Sequence, residues 1–312
     1  MIIDFHCHVW MEEWLPEPFW QGIVDIFAHM LARHGMKLPK EEVRRQFFPA
    51  FWDPTAERLI ASMDEAGIDR AVILPLDYGL TLGEPPVSIE EQNRIYAQLA
   101  QQHPGRLIAF ASVDPRREGA DRLFEVGVKE WGLRGLKLHP TVGYYPSEEA
   151  CYPLYRKAAE LGVPVISHTG PIIAPLKSKY AQPIHLDDAL VDFPQVQFVA
   201  AHLSFCWWTE LANLAGTKTN LAADISGWQL TARDHYPFFC QTLRSFLNSA
   251  GSDNLLYGTD NPAYRSLISD REWIQLIRDL PHKAPEGISF TEAEVEAILG
   301  GNARRILGLS ER

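Results

Sequence analysis

Short apolar runs alternate with amphipathic stretches along most of this chain, and the alternation predicts its architecture. From residue 54 onward, TAERLIASMDEAG (55–67) carries apolar residues at helical spacing and closes on Gly67. DRAVILPL (69–76) then reads as a buried strand. SIEEQNRIYAQLAQQHP (88–104) opens with Ser88 and Glu91 at capping-box spacing and runs into a proline, so it reads as the next helix. The pattern continues with strands at 106–115, 134–140, 164–170, 197–204, 219–226 and 254–260. Helices are expected at 117–131, 147–162, 185–193, 207–215, 237–250, 271–280 and 291–308. With an initial strand at 2–9, this makes eight short strands, each followed by helix. Continuous apolar runs are what strands buried on both faces require. Their count and order predict a single α/β domain over residues 1–312, a (β/α)8 TIM-type barrel rather than a doubly wound sheet.

One segment breaks the rhythm. Residues 10–53 form an insertion after strand one, rich in Trp, Phe and Pro, with helical spacing over 21–35. A connection this long serves as a functional lid or packs its own aromatics as a small cap.

In such a barrel the chemistry gathers where the strands end, at their C-terminal mouth. Strand one ends in His6 and His8, two apart and therefore on one face, with Asp4 behind them and Cys7 pointing into the opposite core. Strand four ends in Lys137 and His139, strand five in His168, strand six in His202 and strand eight in Asp260. A buried strand end is a costly place for an imidazole or carboxylate unless it is paired or bound to metal, and five such ends lead to one mouth. Asp114, Asp224 and Ser226 are further strand-end candidates. Arg116, Arg117 and Arg265 could clamp an acid group, and Trp10, Trp207, Trp208 and Trp228 could wall a flat ring. His29, His34, His103, His185, His235 and His282 lie in the insertion or on helices and read as structural.

The strings HCH, SHTG, AAHLS and GTDNP at four strand ends, with NARRILGL at 302–309, resemble the amidohydrolase superfamily. The branch they resemble contains aminocarboxymuconate-semialdehyde decarboxylase alongside hydrolases and hydratases. The resemblance implies a divalent metal, most often one zinc ion, held by His6, His8, His168 and Asp260. It also implies Asp260 as proton carrier, with His202 either donating to a developing oxyanion or orienting a metal ligand. KLHP at 137–140 resembles a second arrangement, in which a carbamylated Lys137 bridges two metals; otherwise Lys137 and His139 would face substrate. The expectation is therefore a hydrolase acting on a small carboxylated, cyclic or aromatic substrate through a metal-activated water. A nonoxidative decarboxylase is the alternative. An inactive metal-binding barrel would need a damaged ligand set, and none is visible.

Bulk properties narrow the partners. A formal charge of −11 argues against nucleic acid and anionic membrane and leaves a small-molecule substrate. Cys7, Cys151, Cys206 and Cys240 are widely spaced and read as reduced thiols. With no basic, apolar leader visible, a cytoplasmic location is expected. The aromatics of 10–53 could also serve a homo-oligomer contact.

Overall fold

A computed structural model describes residues 1–310. Its strands are β1 (Ile3–Cys7), β2 (Arg70–Ile73), β3 (Leu107–Ala109), β4 (Ala111–Ser112), β5 (Leu136–Leu138), β6 (Val165–Ser167), β7 (Phe198–Ala200), β8 (Leu221–Asp224) and β9 (Leu255–Leu256). All pair in parallel, in the orders β1-β2-β3 and β4-β5-β6-β7-β8-β9. β3 and β4 are the single strand expected over 106–115, interrupted at Phe110. That residue donates to Ile73 O (3.1 Å), while Ala111 donates to Gly135 O on the other side (2.8 Å). The first and last strands also meet: Phe5 N–H reaches Tyr257 O at 2.9 Å and His8 N–H reaches Asn261 O at 2.6 Å. The molecule is the α/β TIM-type barrel that the alternation predicts.

Two apolar layers hold it. Inside the ring, Ile3, Phe5, Val72, Phe110, Ile166, Val199, Ala222 and Leu256 fill the barrel. A larger outer layer joins the strands to the helices. The register of β1 slips between Asp4 and Cys7. Across that slip the inward face passes from Ile3 and Phe5 to His6 and His8, while Cys7 joins the outer layer. This irregularity lets one strand supply both packed core below and donors above. Asp4, behind the histidines as expected, is fully buried and accepts from Thr259 Oγ1 (2.6 Å) and Thr259 N (3.0 Å).

Two expected elements differ. The helix expected at 21–35 runs over Glu17–Arg33, started four residues earlier by Pro16 and Pro18, whose fixed φ suits a first helical turn. The helix expected at 291–308 is divided into Glu292–Glu296, a wider turn at Ala297–Gly301, and Asn302–Ile306. The reason lies at Gly300, where a Cβ would stand 2.2 Å from Met1 O, so the chain packs against the barrel's start by backbone alone. No helix among the described residues is long and apolar enough to cross a membrane.

Gly258 sits where β9 passes His6 and Ser226: a Cβ there would lie 3.0 Å from His6 Cβ and 3.1 Å from Ser226 Cβ. Gly258→Ala should lower stability by about 1–3 kcal/mol through overpacking. Urea unfolding measures this, and an unchanged midpoint would refute the packing account.

Candidate metal centre and active site

The barrel mouth holds an unusual density of buried polar side chains. His6, His8, Lys137, His139, His168, His202, Asp224 and Ser226 are all at least nine-tenths buried. Burial drives His6, His139, His168 and His202 well below the ordinary histidine value, reinforced at His6 and His139 by the nearby Lys137 charge. These rings are therefore neutral, and each carries one N–H and one bare nitrogen.

The hydrogen bonds determine which nitrogen is bare. Asp224 is the anchor. Its Oδ2 lies 2.9 Å from His6 Nδ1, so His6 donates there and presents Nε2 inward. Its Oδ1 accepts from the Ser226 hydroxyl and from Ser226 N–H (3.0 Å) and His202 N–H (3.1 Å). Having donated its proton to Asp224, Ser226 Oγ can only accept from His202 Nδ1, 2.8 Å away. His202 Nε2 is then an acceptor, and it lies 3.2 Å from His168 Nδ1. The relay ends at His168 Nε2, which is buried and has no hydrogen-bond partner. His8 is held separately, with Nδ1 2.6 Å from Leu74 O and Nε2 facing Asp260. Three imidazoles thus turn bare Nε2 atoms toward one region.

Asp260 completes it. Its Oδ1 is 3.2 Å from His8 Nε2 and 3.7 Å from His6 Nε2. One ligand atom each from His6, His8 and Asp260 lies within 4.8 Å of the others, as a shared cation needs. Asp260 adopts φ +55°, a left-handed conformation costly for a non-glycine residue. A second grouping, His6, His202 and Asp224, satisfies the same distance limit. Ser226 Oγ bonds all three of these residues, so that grouping is the relay itself. His6, His8 and Asp260 offer two imidazole nitrogens and a carboxylate oxygen, a set that fits one divalent ion, whereas His168 stands outside that group and its unpartnered Nε2 belongs to a side chain lining the same cavity.

Lys137 is fully surrounded, and burial lowers its amine to about 8. Its Nζ lies 3.2 Å from His6 Nε2. His139 lines the cavity, its Nδ1 pairs with Thr141 Oγ1 at 2.7 Å, and its ring stacks on His168 at 4.2 Å.

Local backbone explains how His202 reaches the centre. His202, Leu203, Ser204 and Phe205 all have positive φ, from 44° to 61°, a left-handed turn directly after β7. Surrounding contacts impose it. Trp228 Nε1 donates to His202 O (2.7 Å), Ser204 Oγ donates to Thr169 Oγ1 (2.8 Å), and Phe205 stacks on the His202 ring at 5.1 Å.

A cavity of about 360 Å³ opens above these groups. Its roof is the insertion helix Glu17–Arg33, which lays Phe19, Ile23, Ile26, Phe27 and Met30 over the mouth at helical spacing. The insertion is both lid and aromatic cap, since Trp10, Phe19, Trp20, Phe48, Phe51 and Trp52 pack on one another. Gly22 sets the lid's seat: a Cβ there would lie 2.0 Å from Ala174 O in the loop after β6.

Several sequence expectations need correction here. Arg116 pairs with Asp114 (2.6 Å), and Arg117 with Asp77 (2.7 Å) and Glu84 (2.8 Å), so neither clamps a ligand in the cavity. Arg265 lines a different groove, beside Phe47 and Arg58. Of the four tryptophans only Trp10 lines the cavity, stacked on His8 at 5.5 Å; Trp228 instead supports the left-handed turn. Tyr78 and Tyr264 also line the cavity and carried no sequence signal beyond following strand ends. The lid residues were legible only as helical periodicity. The six remaining histidines lie outside the cavity lining.

A barrel with clustered imidazoles and a carboxylate at the C-terminal strand ends defines a class of metal-centred α/β-barrel enzymes. The sequence profile of the family described as Amidohydrolase matches residues 3–309, and this chain belongs to that family. No curated protein matches the sequence. Among solved structures, 5-carboxyvanillate decarboxylase from Sphingomonas paucimobilis aligns with a TM-score of 0.67 at 18% identity, covering 99% of each chain. Dihydroxybenzoic acid decarboxylase from Polaromonas sp. JS666, with bound manganese and 2-nitroresorcinol, gives 0.68 at 17% identity, covering 100% of this chain and 98% of the other. A probable 2-pyrone-4,6-dicarboxylic acid hydrolase from Acinetobacter baumannii gives 0.63 at 18% identity, covering 99% of each chain. At these identities the likeness is one of fold.

Two outcomes follow from the relay. Asp224→Asn should weaken zinc or manganese affinity about 10–100-fold, because it removes the acceptor that turns His6 Nε2 inward; metal titration calorimetry checks this, and unchanged affinity would refute it. The second concerns acid. Burial keeps the folded-state histidines below their unfolded value of 6.5, so the unfolded chain takes up protons first as pH falls. Stability should therefore be full above about pH 6.5 and decline below it, by up to about 1.4 kcal/mol per pH unit per histidine. Thermal unfolding of the metal-free protein from pH 7 to pH 5 reads the slope, and a flat profile contradicts it.

Proposed function

We propose that this protein is a metal-dependent nonoxidative decarboxylase acting on a small aromatic or unsaturated carboxylic acid. The observation that carries the reading is a donor set beside a single buried lysine, at the floor of a cavity whose remaining lining is mainly aliphatic and aromatic. Loss of carbon dioxide turns a charged carboxylate into a neutral molecule, and a water-poor apolar chamber favours that change. The fold likeness to two carboxy-lyases supports the same direction, and the hydrolase expected from sequence becomes the second reading. That reading draws on the pyrone hydrolase likeness and on the equal fitness of Asp260 to move a proton from water.

His6, His8, His168 and Asp260 would hold one divalent ion, zinc or manganese, which when bound supplies Lewis acidity toward a substrate oxygen. The chain's own groups do the rest. Lys137 offers its ammonium to the carboxylate at the cavity floor. The bond between that carboxylate and the neighbouring carbon breaks, and its electron pair stays on the carbon. Asp260 Oδ takes up a proton from solvent water, leaving hydroxide to the bulk, and passes it to that carbon as carbon dioxide leaves. His202 acts through His168, since both its ring nitrogens are engaged within the relay.

The reading is tested by loading the protein with zinc or manganese and screening hydroxybenzoates and muconate-type acids for carbon dioxide release in heavy-oxygen water. Gas release is expected together with an organic product that carries a new C–H bond and no solvent oxygen label. Solvent label in the organic product, without gas release, would establish hydrolysis instead. Asp260→Asn should reduce turnover about 10²–10⁴-fold.

A further inference from the structure

The cavity's charges are confined to its floor. Among the described residues lining it, only Lys137 and Asp260 carry formal charge, and each lies within 3.2 Å of a strand-one imidazole nitrogen. Above them the lid offers Ile23, Ile26, Phe27 and Met30. The arginines that follow strand ends are paired to carboxylates or face another groove. A second carboxylate raised toward the lid would therefore meet hydrocarbon, with only the uncharged Trp10, Tyr78 and Tyr264 as polar residues of the surrounding wall and no cation, and such burial is strongly disfavoured. An apolar substituent in the same place would instead leave water for a matching surface.

We propose that the substrate is a monocarboxylic acid whose far end is uncharged and apolar, and that Ile26 and Met30 of the lid determine this selectivity. The proposal rests on the decarboxylase reading only for placing the carboxylate at the floor. Ile26 and Met30 form the rim: they line the cavity yet are 40% and 38% exposed, so their side chains meet both the bound molecule and solvent. Their exposure also lets a lysine be placed there with its ammonium in water, where it can reach the far end of a bound acid.

The metal-loaded protein is given two probes, 4-propylbenzoate and benzene-1,4-dicarboxylate, and their dissociation constants are measured by calorimetry. The corresponding 2-hydroxy acids are assayed for carbon dioxide release. The propyl acid is expected to bind at least tenfold more tightly and to show the higher kcat/KM. Met30→Lys and, separately, Ile26→Lys should narrow that ratio by tightening the dicarboxylate, with circular dichroism confirming that each variant is folded. Equal or tighter binding of the dicarboxylate to the unaltered protein overturns the proposal, as does a ratio that neither lysine moves. If the preference holds in binding while no acid releases carbon dioxide, the reaction reading fails and this one stands. If acids are decarboxylated without preference, the reverse is true. Failure of both probes to bind overturns the proposed selectivity.

Discussion

Asp224 is the carboxylate on which the polar centre of this barrel depends. It is fully buried, and it accepts from His6, from the Ser226 hydroxyl and from two backbone N–H groups. Each bond removes one freedom from a neighbour: the tautomer of His6, the hydroxyl direction of Ser226, and through Ser226 the tautomers of His202 and His168. A buried network of this kind is favourable only when every member is satisfied. Here one atom at its far end, His168 Nε2, is not.

This constraint explains why the mouth is built on strands rather than loops. Along β1, β6 and β8 an inward apolar residue is followed by a buried polar one, so that Phe5 precedes His6, Ile166 precedes His168 and Ala222 precedes Asp224. The packed layer beneath limits how far any ring can shift, which is what a donor set needs in order to be preorganised. His202 and Asp260 lie beyond β7 and β9, each at positive φ, and the turn that delivers His202 is locked by Trp228, Phe205 and Thr169.

Much of this was legible in the sequence. The barrel follows from the alternation of apolar runs and amphipathic stretches, and the spacing of His6 and His8 gives their shared face. The strand-end polar residues announced the mouth because burying them needs a reason. Other features had no sequence-level signal. The slip in β1 that turns His6 and His8 inward after Phe5 depends on pairing with β2, which is a long-range matter. The roles of Asp224 and Ser226 emerge only when β8 lies beside β1, although both could be noted as strand-end groups. Arg117 was misjudged because its partner Asp77 stands at another strand end, whereas the partner of Arg116 is Asp114, only two residues before it along the chain. The hydrolase expectation arose from the ligand set alone, whereas the carbon walls of the cavity come from a lid helix whose facing side is set by its docking.

The left-handed run from His202 to Phe205 has a bearing on how the protein can be altered. L-residues held in that conformation cost roughly 1–2 kcal/mol apiece. Glycine would relieve that cost but would forfeit the buried Leu203 and Ser204 side chains and the Phe205 ring. It would also free the imidazole at the head of the run to swing, so an easier backbone and an ordered polar centre pull this short segment in opposite directions.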